Sequence, residues 1–367
     1  METRMGSVTS DTESNKAATE DQPVEPKVEK KVIKNIGYYA RAIMGDLPKD
    51  LLKPTPGRIV WAVFFYSIIS VSVFALVTQP ELPVILKVVL GLVIGYGFGG
   101  AAFLAHEVLH GSVFRSKTLQ DSYGFFGFAP FLIAPTFWRF WHNRLHHGHT
   151  QKIIMDPDAF PTMRIYKQSK YMQNAFNFTP GSGTFRSIFY FFYWFSWHNL
   201  ANQVYLRFRN KIFADMGHMR VSIEFILQLS MMAGYCYLLG WQNAVYGAVI
   251  PFAVMNYILM SYISTNHNVS PLTKHNDPLE NSLTVTNHKI FEFMHMNFGY
   301  HVEHHLFPTM NPSKAKAVHE VLKKRYPEQY KIMPKWDALK LLYKTPRVYK
   351  NSKELIHPHS GETHPTI

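Results

Sequence analysis

The chain has 367 residues, enough for one large domain or two ordinary ones, and 38 Lys+Arg against 25 Asp+Glu leave it at +13 with histidine neutral. Apolar residues at 47 % and aromatics at 15 % exclude a disordered chain. A single cysteine, Cys236, excludes an internal disulfide framework and any cysteine-rich metal site. Residues 1–35 mix charge, Ser, Thr and Pro without periodicity and read as a flexible polar tail. No apolar stretch follows the initiating Met, so no cleavable signal peptide is expected.

Residues 36–350 carry two pairs of long apolar segments, at about 59–78 and 84–105 and then at about 225–241 and 244–263. Each is close to the roughly 20 residues that cross a bilayer, and each pair is joined by a short turn, which predicts two transmembrane hairpins. The turns Gln79–Pro83 and Gln242–Asn243 hold no Lys or Arg. The N-terminal region, the stretch between the pairs and the C-terminal part are basic, so the positive-inside rule puts the termini and the middle stretch in the cytosol. The positive charge then reflects topology and contact with anionic headgroups. With no recognition motif beside the basic residues, nucleic acid is not an expected partner. The aromatic run at 185–205 reads as helix lying in the interface rather than spanning, and Phe125 to Trp138 is too short and too Pro-broken to cross. Residues 351–367 read as a polar C-terminal tail. The expected fold is an all-α integral membrane protein with four spans, interfacial helices and a cytosolic histidine-rich cap holding two metals.

Three histidine groups carry the chemistry: His106 and His110 in HEVLH, His142, His146 and His147 in HNRLHH, and His301, His304 and His305 in HVEHH. At the histidine frequency of 19 in 367, a specified three-histidine pattern is expected roughly 0.05 times, and two occur. On an α-helix, residues i, i+3 and i+4 share a face, so each group presents several imidazoles to one point. A helix from Val84 to His110 is about 40 Å long, against a hydrocarbon core of about 30 Å, so its last turns protrude on the cytosolic side. The fourth span ends on that side and delivers His267. One zinc takes three or four protein ligands, so nine histidines suggest two metals with open positions. Imidazole suits Zn, Cu, Fe and Ni alike. Glu107, Asp156, Asp158, Asn266 and Glu303 lie close enough in sequence to orient the ligands.

At these residues the sequence resembles the integral-membrane fatty acid desaturase family, whose boxes, HxxxH or HxxxxH, then HxxHH or HxxxHH, then HxxHH, are interleaved with two hydrophobic hairpins. The resemblance covers about Val84 to Pro308, in order and with family-like spacing. It implies a non-haem di-iron centre that uses dioxygen and two electrons to place a double bond in an acyl chain. The nine histidines would be its iron ligands. Some relatives set an Asn four residues before the histidine that follows the fourth span, to hold a water on one iron. Here that position is Ile263, with Asn266 nearby, so the role is unassigned. No HPGG haem-binding motif is present, and the nearest string is His357-Pro358-His359-Ser360-Gly361. The resemblance therefore implies a separate electron donor, a ferredoxin or a small haem protein with its reductase. His301 stands where front-end desaturases usually have Gln, which with the missing fused domain argues for a methyl-end or mid-chain enzyme; an acyl-lipid or acyl-CoA substrate is expected, and no motif names the acyl carrier. Two rival readings remain at this level. A hydroxylase or ketolase of the same superfamily would use the same ligands. A membrane zinc protease would use HExxH, with Glu107 as general base.

Overall fold

The computed structural model describes residues 34–367. The tail expected over 1–35 therefore lies, except for its last two residues, outside the described part. Among the described residues, four helices are long and apolar enough to cross a membrane: Pro56–Thr78, Val84–His110, His218–Leu239 and Val245–His267. They form two hairpins, and the second span packs along both the first and the fourth. Small residues permit that approach. A Cβ on Gly95 would come within 2.6 Å of Val254 Cβ and 2.9 Å of Pro251 Cα, so only glycine lets the second and fourth spans touch there. The outward faces keep large apolar side chains exposed, among them Val63, Phe64, Val71, Phe74, Ile223 and Leu227, as lipid contact requires.

Two spans depart from the expected bounds, each for a local reason, while the second keeps the Val84–His110 length expected of it. The second runs through to His110, where Gly111 at φ 82° takes the left-handed conformation that ends a helix. The third begins at His218, not near 225, although this adds Arg220 and Glu224. Those charges are satisfied on the protein: Arg220 bonds Glu224 at 2.7 Å and Asp121 at 2.8 Å, and Glu224 accepts from Thr136 N and Oγ1. The fourth continues four residues past Ile263, so His267 occupies its last turn.

Between the hairpins, Tyr190–Leu200 is α-helical, with a 3-10 turn before it and a π turn after it. It packs against the fourth span and is not one of the four long apolar helices. Phe185, Phe192, Trp197 and Phe208 remain exposed along this segment. The main core joins the spans to this middle segment. A second cluster, built from Tyr39, Ile43, Leu51, Val302, Leu306 and Leu322, clamps the short helix His301–Leu306. The stretch 351–367 is not a loose tail. Glu354–Ile356 and Thr363–Pro365 pair antiparallel, and Ile367 N donates to Val269 O at 3.1 Å, beside the end of the fourth span.

Candidate metal centre

The second span delivers His106 and His110 one turn apart, with ring centroids 4.6 Å from each other. The second box is not α-helical. Arg139–His146 is a π-helix, whose wider turn changes which residues share a face. His267 arrives on the fourth span, and the short helix His301–Leu306 carries the third box. All nine histidines meet, in two sets. His106, His110, His142, His147 and His304 form one, and His146, His267, His301 and His305 form the other, with the nearest nitrogens of each set within 4.8 Å of one another. The expectation that each box serves one point is therefore corrected. His146 leaves its neighbours His142 and His147, and His304 leaves His301 and His305. The two sets adjoin, since the rings of His147 and His305 stack at 4.3 Å.

The donor atoms fit metal ions. In the five-ring set, Nε2 of His142 lies 3.1 Å from Nε2 of both His106 and His147, and His304 Nε2 lies 3.1 Å from His147 Nε2. In the four-ring set, the Nε2 separations are 2.7 Å for His267 with His301 and 3.2 Å for His305 with either of them. Nitrogens at right angles around one ion, each about 2.1 Å from it, stand about 3.0 Å apart. Nε2 of His110 is buried with no protein partner, as a donor reserved for an ion would be. Burial and the neighbouring imidazoles hold His142, His147, His301 and His305 well below the usual histidine range, and burial brings His304 down to about 3. These rings are neutral near pH 7, which is the form that binds metal.

The far side of the rings is also organised. His146 Nδ1 lies 3.1 Å from Asp156 Oδ1 and 3.4 Å from Asp158 Oδ2. Burial alone would lower this histidine, and the two carboxylates outweigh it and hold it above its ordinary value. Asp156 also accepts from Gln151 N at 2.8 Å. His305 Nδ1 lies 3.3 Å from Thr150 Oγ1, and His267 Nδ1 lies 3.3 Å from the carbonyl of Asn281. Such contacts fix the ring orientation that a metal site needs.

Three of the proposed orienting residues do not reach the nine rings. Glu107 is gripped by Arg58 through two bonds of 2.6 and 2.7 Å. That pairing also removes the free carboxylate that an HExxH general base requires. Glu303 is engaged by Thr284, His319 and Tyr330. Both amide atoms of the Asn266 side chain are buried without a partner. Thr150 and Gln151 were not legible as orienting residues, because their bonds to His305 and to the His267 carbonyl reach more than a hundred residues along the chain.

A cavity of about 370 Å³ lies against both sets. Its apolar walls include Ala102, Phe103, Phe128, Leu259 and Ile263, and its metal-facing wall includes His106, His142, His146, His267 and His301. That is the size and lining of a site for an extended apolar ligand.

Known proteins give the arrangement a family. The chain is 22 % identical to the chloroplastic omega-6 fatty acid desaturase of Arabidopsis thaliana, over 71 % of this chain and 59 % of that protein. It is also 22 % identical to the protein of that name from Glycine max, over 84 % of this chain and 74 % of the relative. Identity is 24 % to the sn-1 acyl-lipid omega-3 desaturase (ferredoxin) of Synechocystis sp., over 67 % of this chain and 70 % of that protein. The chain thus spans under two thirds of the Arabidopsis relative. The sequence model of the fatty acid desaturase family matches residues 83–336, more than two thirds of the chain and the whole of the three histidine boxes. The chain belongs to the fatty acid desaturase family.

Proposed function

We propose that this protein is a membrane acyl-lipid desaturase that places a carbon–carbon double bond in an acyl chain. The observation that carries the reading is the meeting of nine imidazoles, in sets of five and four, along one wall of an apolar cavity. The overall change is balanced by one dioxygen, two electrons and two protons, giving the alkene and two waters. Two iron ions held by His106, His110, His142, His147 and His304 and by His146, His267, His301 and His305 would supply the one-electron and dioxygen chemistry that no acid or base side chain performs on an alkyl chain.

The protein's own part is positioning. The cavity holds the acyl chain extended beside the rings and keeps water away from it. Asp156, Asp158, Thr150 and the Asn281 carbonyl hold the imidazoles in orientation. Electrons come from a separate donor, and the ferredoxin in the Synechocystis relative's name supports that class. The same name supports acyl-lipid over acyl-CoA. The omega-6 and omega-3 names support methyl-end placement. The excess of Lys and Arg on the histidine-bearing side supports a cytosolic face for the site. The chloroplastic names leave the identity of the membrane to experiment.

The test is expression in a host with simple lipids, followed by mass analysis of acyl chains released from each lipid class. New dienes or trienes in intact lipids are expected. Hydroxylated or keto products with no new alkene would replace desaturation with the oxygenation reading.

A further inference from the structure

Tyr190–Leu200 contributes none of the nine imidazoles, yet it forms one wall of the cavity. His198 sits on its cavity face. Its Nε2 lies 3.1 Å from Asp158 Oδ1, while the other oxygen of the same carboxylate lies 3.4 Å from Nδ1 of His146. Asp158 N also donates to Asp156 Oδ1 at 3.0 Å, the oxygen that lies 3.1 Å from His146 Nδ1. The turn Asp156-Pro157-Asp158 is therefore one unit that holds the ring of His146, and His198 ties that unit to the cavity wall. Trp194 stacks on His198 with ring planes 12° apart, and Asn202 Nδ2 donates to the His198 carbonyl at 2.9 Å, so the histidine is itself fixed. Among the described residues, no other histidine outside the nine bonds a carboxylate that touches the nine.

We infer that His198 is a positioning residue for the four-imidazole set: through Asp158 it orients His146 and sets the register of the cavity wall against that set. The inference rests on the functional reading above. Partners of metal-bound imidazoles typically change metal affinity by about 10–100-fold, because they fix the ring and its tautomer. His198 adds a link that a simple carboxylate–imidazole pair lacks. The helix that lines the cavity is thereby tied by hydrogen bonds, through Asp158, to the four-imidazole set.

The experiment compares wild type with H198A, H198F and H198Q. Each is purified in detergent, checked for a monodisperse profile, loaded with ferrous iron and dialysed against a ferrous chelator, and iron per chain is then counted. H198A and H198F are expected to lose one of two irons at a chelator concentration at least about 10-fold lower than wild type. H198Q, whose amide nitrogen replaces Nε2, should hold both. Where alkenes form, H198A and H198F should add isomers with a displaced double bond, and H198Q should not. Retention of both irons by H198F would overturn the inference, since it would leave the ring's packing as its only role. Equal loss in H198Q and H198A would also overturn it. Iron retention is read without turnover, so a wild-type chain that holds two irons and makes no alkene would sink the functional reading alone. A wild-type chain that makes alkenes while H198A keeps both irons would sink this inference alone.

Discussion

His142 and His147 are five residues apart, and their Nε2 atoms lie 3.1 Å from each other. On an α-helix, five residues rotate a side chain about 140° away from its starting face. The π-helix Arg139–His146 has a wider turn, which brings i and i+5 together and aims the intervening His146 at the other set. One segment thus feeds both sets. H142A and H147A should each lose the ion of the five-ring set, and H146A the ion of the four-ring set, while all three still insert into membranes. Iron should fall from about two to about one per chain in each variant, with product below about a hundredth of wild type. Elemental analysis of single and double variants checks the pairing. H142A/H147A should still hold one iron and H142A/H146A should hold none, and the reverse result would dismantle the two-set assignment.

Much of this was legible in the sequence. The four apolar runs and the spacing of nine histidines point to the hairpins and to the nine rings that the fold gathers, because span length and histidine clustering are local signals. The partition of the histidines was not legible. The motif HNRLHH fits α-helical spacing, and only packing against the second span reveals the π turn. Arg220 and Glu224 hid the true start of the third span, since their compensation by Asp121 and Thr136 is non-local. His198 was hidden in an aromatic run, and its partner Asp158 is 40 residues away. The C-terminal hairpin has too little apolar content to announce that it docks beside the fourth span.

Arg58 and Glu107 form a bidentate pair at the foot of the first two spans, with the glutamate side chain only 8 % exposed. Removing one partner strands a buried charge, which typically costs about 3–5 kcal/mol, whereas removing both is far milder. R58M should therefore lower thermal stability in detergent sharply, and R58M/E107Q should recover most of the loss. E107Q alone should keep its iron and a large part of its activity. Complete loss of activity in a well-folded E107Q protein would give this carboxylate a chemical role that its pairing with Arg58 argues against.

Lys335 is 9 % exposed, and its Nζ lies 3.2 Å above the centre of the Tyr262 ring. Burial pulls its ammonium down to about 7, with the ring face opposing that shift in part. Nearby His295, bonded to the Tyr262 hydroxyl at 2.8 Å, is brought down to about 4 by burial and by Lys335. The folded-state value for Lys335 lies below the unfolded one. Between about pH 7 and 10 the unfolded chain therefore binds more protons, and stability rises with pH across that window. Below about pH 7 the lysine is charged in both states and adds no further slope. In chelator-treated protein, the melting temperature should climb from pH 7 to 9.5, as the unfolding free energy gains on the order of a few kcal/mol. K335M should remove this rise and be the more stable variant at pH 7. An unchanged slope in K335M would rule out the lysine as its source.

Arg347 is almost completely buried, and no carboxylate pairs with it among the described residues. Its guanidinium instead donates to the carbonyls of Asn268 and Thr345 and to Thr345 Oγ1. Tyr349 OH donates to Ser270 O at 2.6 Å, and Gln151 Nε2 donates to His267 O. Three side chains thus cap the C-terminal end of the fourth span, where the helix dipole is negative and a cation is favoured without an acid. Burial lowers the Arg347 guanidinium to about 10, which leaves it charged near pH 7. The end of the span it holds is the end that carries His267. R347M should leave buried carbonyls unpaired and lower stability by about 2–3 kcal/mol. It should also release iron from the four-ring set more readily than from the five-ring set. R347K, which keeps the charge and loses the planar fork, should fall between R347M and wild type. Thermal melts in detergent and iron counts after chelator dialysis read both effects. An R347M protein that melts like wild type and keeps both irons would show that the fourth span holds His267 in place unaided.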